Sequence, residues 1–398
     1  MKRILTLALI IAAVLLAVLS GCDHREDIGP YERIANDSTN TGKRSDTSYV
    51  EITPPWIGYT SPRAVVVGRD QLIYVADYGS NEILLVDAGG TILKRRSILH
   101  PVAIGQNSKL DLYVAGEMIA PNGVDTIAAI FRIYLVRFDT TYVARIDTIS
   151  GRPVAIKRDT SFFFNHDLTL APMRTVWKEA GKPNRRFVGI GIMPNNDYVA
   201  ARVGANNTSV VDPDSRVLLF NKGDTLLTPL PELITRASGG TGINDVRFLT
   251  GVFVFPSSRD IIVTQSSEGM AYGAIWMVYS ENLFFQGYLP KFDPANPDQR
   301  GVDFIRSYRY TSATAATYDS RKREIFVLDS EQDSVVKFTA KGAFKAESFG
   351  RSLTGQRQLR PLNHPMGIAF SNDCTLYIAD TGNSIIRRFR LSSQTVCF

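Results

Sequence analysis

From about residue 61 onward the chain is written in short apolar runs separated by polar turns, and one run-turn-run pattern recurs three times. Ile73-Tyr74-Val75-Ala76-Asp77-Tyr78-Gly79-Ser80-Asn81-Glu82-Ile83 returns as Glu324-Ile325-Phe326-Val327-Leu328-Asp329-Ser330-Glu331-Gln332-Asp333-Ser334-Val335 and again as Leu376-Tyr377-Ile378-Ala379-Asp380-Thr381-Gly382-Asn383-Ser384-Ile385. Each copy is a strand rich in branched and aromatic residues, an Asp, a tight turn and a second strand, which predicts one hairpin of a repeated all-β unit. The copies also share what precedes them. Pro62-Arg63-Ala64-Val65-Val66-Val67 and Pro365-Met366-Gly367-Ile368-Ala369-Phe370 each lead through a polar turn into the hairpin, so the unit has at least three strands.

Nearly continuous apolar strands suit sheets packed on both faces, and stacked sheets of this kind predict a β-propeller. Strand pairs place blades at about 61–97, 101–149, 187–230, 244–290, 311–350 and 363–398, with first strands starting at Arg63, Val102, Val188, Val246, Thr314 and Met366. That gives six blades. The stretch 150–186 contains Pro153-Val154-Ala155-Ile156, a copy of Pro101-Val102-Ala103-Ile104, followed by Phe162-Phe163-Phe164, so a seven-bladed ring is the alternative to a long insertion. The loops Glu117 to Asp125, Gly204 to Asp214 and Tyr288 to Gly301 are the natural carriers of function on such a scaffold.

The Pro-x-Gly-Ile-Ala, turn, Leu-Tyr-Ile-Ala-Asp-x-Gly-Asn arrangement resembles the NHL repeat, most fully over 363–390, then 61–93, then 312–350. In that family each repeat is one propeller blade. The middle of the chain departs from the pattern: Leu112-Tyr113-Val114-Ala115-Gly116 has Gly in place of the Asp, and Tyr198-Val199-Ala200-Ala201 has Ala. The resemblance extends to relatives that bind zinc through histidines from several blades, and to calcium-dependent lactonases of the same architecture. On that analogy His100 and His364, each just before a Pro at a blade entry, are candidate zinc ligands, and a ring of Asp77, Asp329 and Asp380 is a candidate calcium site. The plainer expectation is packing for the histidines and turn-forming hydrogen bonds for the aspartates, with no cofactor.

The N-terminus reads in three parts. Met1-Lys2-Arg3 is a basic head, Ile4 to Leu19 is an apolar run of 16 residues broken only by Thr6, and Leu19-Ser20-Gly21-Cys22 follows. Sixteen residues at ~1.5 Å each fall short of a ~30 Å hydrocarbon core, so this is a secretory signal (1–21) and not a span. Leu-Ser-Gly-Cys resembles the bacterial lipobox, which implies cleavage before Cys22 and its lipidation. Residues 22–55 then form a polar tether, and 56–398 the propeller. Within the tether, Tyr49-Val50-Glu51-Ile52-Thr53 alternates like a strand and is expected to pair with the last blade and close the ring. The expected location is the membrane, by a lipid anchor, on the extracytoplasmic side.

Charge changes the picture little. The net charge of +6 includes Lys2 and Arg3, and no concentrated basic stripe remains, so no nucleic-acid partner is expected. Cys374 and Cys397 are the thiols left in an oxidising compartment and a candidate disulfide. If 385–390 and 395–398 are consecutive strands, one strand separates them; a bridge implies that the last residues leave the sheet. No nucleophile elbow, phosphate loop or dinucleotide fingerprint is present. The balance favours a binding scaffold for an envelope protein, peptide or glycan, with a metal-dependent lyase or lactonase as the alternative. Candidate ligand-binding residues at one end of the ring are Arg63, Asp77, His100, Arg152, Arg202, Asp329, His364 and Asp380.

Overall fold

The computed structural model describes residues 48–393 apart from 140–141, 147–152, 158–160, 165–167, 236–239, 300–301 and 351–360. Six four-stranded antiparallel sheets form a six-bladed β-propeller. Blade 1 comprises Pro62–Val67, Ile73–Asp77, Glu82–Val86 and Ile92–Ser97, and blade 2 Leu99–Gln106, Leu112–Ile119, Thr126–Ile133 and Met173–Lys178. Blade 3 comprises Arg186–Ile192, Tyr198–Val203, Arg216–Phe220 and Leu226–Pro229, and blade 4 Leu249–Val254, Ile261–Gln265, Ala274–Glu281 and Gln286–Pro290. Blade 5 comprises Ala313–Asp319, Glu324–Asp329, Ser334–Thr339 and Phe349–Gly350. Blade 6 takes Gly367–Phe370, Leu376–Asp380 and Ile385–Leu391 from the end of the chain and its outer strand, Tyr49–Glu51, from the beginning. Tyr49 lies opposite Leu391 and Glu51 opposite Phe389, which is the expected ring closure.

Three expectations are corrected. Residues 150–186 are not a seventh blade: Met173–Lys178 is the outer strand of blade 2, paired with Thr126–Ile133. Between those two strands the backbone makes a side excursion, Val136–Asp139 pairing with Ser161–Phe164 and Tyr142–Ile146 with Pro153–Lys157. The inner strand of blade 4 starts at Leu249, because Val246 belongs to a two-residue parallel pairing with Ile234–Thr235. The place that Asp77 holds in blade 1 is held in blade 3 by Arg202, not Ala201: Phe187 lies against Arg202 as Pro62 lies against Asp77.

The apolar cores lie between blades. Tyr74, Ile83 and Leu85 of blade 1 pack with Ile104, Val114 and Phe131 of blade 2, and Tyr113 and Ile130 of blade 2 with Tyr198, Leu218 and Phe220 of blade 3. This explains why strands such as Ile73–Asp77 are buried at every position instead of alternating. Trp276, flanked by Phe255, Phe292 and Phe304, belongs to the core between blades 4 and 5.

Around the axis the six inner strands crowd together. At one level they present Ala64, Ala103, Gly189, Gly251, Ala315 and Gly367, each the first residue paired below the register shift or strand start. A Cβ on Gly189 would sit 2.5 Å from the backbone nitrogen of Val252 in the next blade, and one on Gly251 2.6 Å from the carbonyl oxygen of Thr314. Backbone cannot swing aside as a side chain can. Gly189→Val is therefore expected to destabilise by roughly 2–3 kcal/mol, read as a drop in thermal midpoint, whereas an unchanged midpoint would show that the inner strands are not this close.

The antiparallel order gives the ring two unlike ends. Inner strands begin at the upper end, where turns 78–81, 330–333 and 381–384 and the longer loops 120–125, 204–215 and 291–299 also lie. The lower end carries the turns from first to second strand, such as 68–72 and 320–323, and from third to fourth, such as 282–285.

Candidate functional site

The upper mouth of the central channel is built by a device repeated in the inner strands. Registers shift at Pro62/Ala64, Leu99/Ala103, Phe187/Gly189, Leu249/Gly251 and Ala313/Ala315, so Arg63, Val102, Val188, Thr250 and Thr314 lie on bulges. Met366, whose N–H donates to the Ala379 carbonyl, takes the sixth place. A bulge re-aims its side chain, and all six line a channel cavity of about 550 Å³ whose walls are otherwise largely Val, Ile, Ala, Gly and Phe. Thr250 donates its hydroxyl to the Ala313 carbonyl, tying one blade to the next. Arg63 is the one charge among the six.

Arg63 starts a chain of contacts across three blades. Its guanidinium lies 3.6 Å from the centre of the Tyr78 ring, and Tyr78 stacks on His100 at 4.6 Å. His100 Nδ1 is 3.0 Å from Glu117 Oε2, and Arg186 Nε is 2.6 Å from Glu117 Oε1. Burial pushes the Arg63 pKa down, against the pull of Tyr78 and Glu117. Burial also opposes ionisation of Glu117, but hydrogen bonds from His100 and Thr126 and the charge of Arg186 hold its carboxyl below the ordinary value. The Arg63 Nε is buried without a protein partner. A cation held over an aromatic face at an apolar mouth suits an anionic or polar ligand group.

The aspartates do something else. Asp77 accepts the N–H groups of Thr60 and Ser61, at 2.9 and 2.7 Å. Asp329 accepts those of Thr311, Ser312, Glu331 and Gln332, and Asp380 that of Asn363. In blades 1, 5 and 6 the Asp on the second strand thus fixes the segment that enters the first. All three are buried, and burial pushes the Asp329 and Asp380 pKa values up against those hydrogen bonds. Gln265 does the same work in blade 4, accepting the Arg247 N–H and donating to the Asp245 and Tyr272 carbonyls.

Hairpin tips add a latch from each blade to the next. Asn81 Oδ1 accepts the His100 N–H at 2.9 Å, and Asp333 Oδ1 the His364 N–H at 2.7 Å. Ser384 Oγ donates to the Thr60 carbonyl at 2.7 Å. All three tip residues have positive φ, as do His100 and His364, both at 45°. His100 and His364 enter blades 2 and 6, which blade 1 separates. The His364 ring faces its own neighbour Asn363 at 3.0 Å. Among the described residues no group of three or more His, Cys, Asp or Glu is arranged to hold a metal ion.

Arg202 is consumed by an ionic cluster that the sequence did not reveal. With Arg185 it meets Glu179, Asp212 and Asp214 at 2.7–3.1 Å, both arginines being buried. Burial opposes ionisation of Asp212 and Asp214, yet the arginines hold both carboxyls below their ordinary values. This cluster stands where blades 1, 5 and 6 have an Asp clamp and blade 4 a Gln. Of the remaining expectations, Arg152, Cys22 and Cys397 lie outside the described residues. Cys374 is disulfide-bonded, the strand beside Ile385–Leu391 is Tyr49–Glu51, and the expected strand 395–398 lies outside the described residues.

Arg63 and His100 are thus brought together with Tyr78, which the sequence reading passed over, while Asp77, Asp329, Asp380 and Arg202 are structural. The protein is a six-bladed β-propeller with a narrow, largely apolar channel and one charged corner at its upper mouth. No family model matches the sequence and no curated protein matches it. Solved propellers do. A gluconolactonase-like protein superposes with a TM-score of 0.50 at 12% identity over 87% of this chain and 93% of its own. An auxiliary nutrient binding protein of Bacteroides thetaiotaomicron gives 0.52 at 13% over 84% and 70%, and the aldose sugar dehydrogenase of Streptomyces coelicolor, solved with PQQ bound, gives 0.52 at 13% over 87% and 98%. Identities this low establish the fold and no more.

Proposed function

We propose that this chain is an extracytoplasmic lipoprotein, anchored through Cys22, whose NHL-type propeller is a binding scaffold. It grips an envelope protein, peptide or glycan at the upper end of the ring. The observation that carries the reading is the coincidence of two features at that end. Five bulges and the start of blade 6 gather Arg63 and five neutral side chains at the mouth, and the long loops beside it leave apolar side chains in water, Val210 at 91% and Val124 at 84% exposure. Exposed aliphatic residues around a charged, aromatic-backed corner have the make-up of a recognition surface. The histidines of the alternative metal-enzyme reading point the other way, since the rings of His100 and His364 face Glu117 and Asn363.

The test is a photoreactive side chain placed at Val124 or Val210 in the full chain, irradiated in its native membranes. Discrete adducts from both positions, lost when Arg63→Ala is added, are the expected result. Adducts that ignore Arg63→Ala, or none from either loop, would remove the upper end as the binding face.

A further inference from the structure

The lower end of the ring has its own chemistry, unused by the upper site. The hairpin of blade 4 outruns its neighbours: Ala274–Glu281 pairs with the second strand only as far as Met277–Ile261. Its last four residues, 278–281, pair only with the outgoing strand, from Val278–Leu289 to Glu281–Gln286. At ~3.3 Å per residue this lifts the tip roughly 13 Å beyond that pair. At the tip Leu283 and Phe284 are 90% and 94% exposed. Their outward posture is built in, because Asn282 Oδ1 accepts the N–H groups of both Phe284 and Phe285 at 2.9 Å. Leu227 adds an exposed aliphatic group at the same end, at the start of the outer strand of blade 3.

Charge at this end is one-sided. Arg69, Lys109, Lys222, Lys322, Arg323 and Lys341 stand exposed on its turns. The acids of the same turns are mostly spent inside the fold. Asp70, Asp260 and Asp319 accept backbone N–H groups, and Asp111 and Asp224 pair with Arg132. Glu281 and Asp373 are exposed acids there, and Asp87 and Asp197, half-exposed on its turns, accept the Thr91 and Lys222 N–H groups. The chain also enters here, since Tyr49 pairs with Leu391 at the lower end of the last strand and Glu51 lies nearer the upper end.

We infer that the lower end is a membrane-docking face, with Leu283 and Phe284 entering the headgroup and acyl boundary and the basic turns meeting anionic lipid headgroups. This deepens the lipoprotein reading and rests on it. The 27 residues from Cys22 to Ser48 reach at most about 90 Å when fully extended, so the anchor keeps the end where the chain enters within reach of the bilayer. An unanchored partner would satisfy neither the entry point nor the paired apolar tip and basic rim as simply as a bilayer does.

The experiment uses the full lipidated chain, reconstituted into phosphatidylcholine vesicles with or without phosphatidylglycerol, the lipids brominated on their acyl chains. Phe284→Trp and, as the upper-end control, Val210→Trp report contact by quenching of the added indole emission relative to the parent chain. Flotation with the vesicles reports the anchor separately. Docking predicts at least a twofold loss of the Phe284→Trp emission in anionic vesicles, no loss for Val210→Trp, and recovery in high salt as the headgroup attraction is screened. A chain that floats but shows equal quenching at both positions, or none, overturns the docking face and leaves the anchor standing. A chain that does not float and lacks lipid on Cys22 by intact mass removes the anchor and the docking proposal with it.

Discussion

Asp329→Ala is expected to lower stability by about 3 kcal/mol or more, the largest effect of any single substitution at a blade clamp. The carboxylate is fully buried and receives four backbone N–H groups, from Thr311 at 2.7 Å, Ser312 and Gln332 at 3.1 Å and Glu331 at 3.2 Å. A buried donor left without a partner costs roughly 1–3 kcal/mol. Thr311 and Glu331 lie at the exposed surface and turn to water, whereas Ser312 and Gln332 are half-buried and hold the start of the inner strand and the hairpin turn. Removing an ionised group whose burial is itself unfavourable offsets part of the loss. Asp77→Ala, with two N–H groups at stake, should cost about half as much by the same scale. Denaturant midpoints of the two variants check the order. Equal midpoints, or a shift within error for Asp329→Ala, would show that the clamp is ornamental to stability.

Glu51→Ala should be comparably damaging and should act on the closure of the ring. Arg387 on the last strand is 1% exposed, and Glu51 holds it with two oxygens, Oε1 at 2.9 Å from Nε and Oε2 at 2.5 Å from Nη2, while Asp380 stands farther off at 3.4 Å. Losing one partner of a buried ion pair strands the other charge, at a cost of about 3–5 kcal/mol. Because Glu51 sits on a strand of three residues, Tyr49–Glu51, the loss also frees that strand, and limited proteolysis should cut near residues 44–60 in the variant before the rest of the ring is touched. Val50→Ala, on the exposed side of the same strand, is the control and should leave both measurements unchanged. Protease resistance of Glu51→Ala equal to the parent would mean that the ring closes by other means.

What the sequence disclosed and what it hid divide along a physical line. Blades 1, 5 and 6 were legible because the Asp clamp forces an Asp at the end of the second strand and a turn after it. The closing strand was legible because alternation in Tyr49–Thr53 contrasts with the polar tether around it. Blade 4 lost the signal because Gln265 serves the clamp with a different side chain, and blade 3 because Arg202 replaces it with a salt-bridge cluster whose acids, Asp212 and Asp214, sit in a loop where charge is ordinarily solvated. The excursion within blade 2 misled in another way. Pro153–Lys157 repeats the apolar spelling of an inner strand, yet it pairs with Tyr142–Ile146 in a hairpin of its own, and spelling alone does not choose a partner strand. The candidate site was half visible: Arg63 was marked as a strand start, but its bulge, and the Tyr78 and His100 rings beneath it, belong to strand register.

The measurement that tests the functional account most directly is metal content of the full chain purified from membranes and dialysed, with His100→Ala/His364→Ala alongside. Neither should carry stoichiometric zinc or calcium, because the His100 ring is stacked on Tyr78 and bonded to Glu117 and the His364 ring faces Asn363. About one ion per chain in the parent, lost in the double variant, would contradict the account and make the channel mouth a metal site.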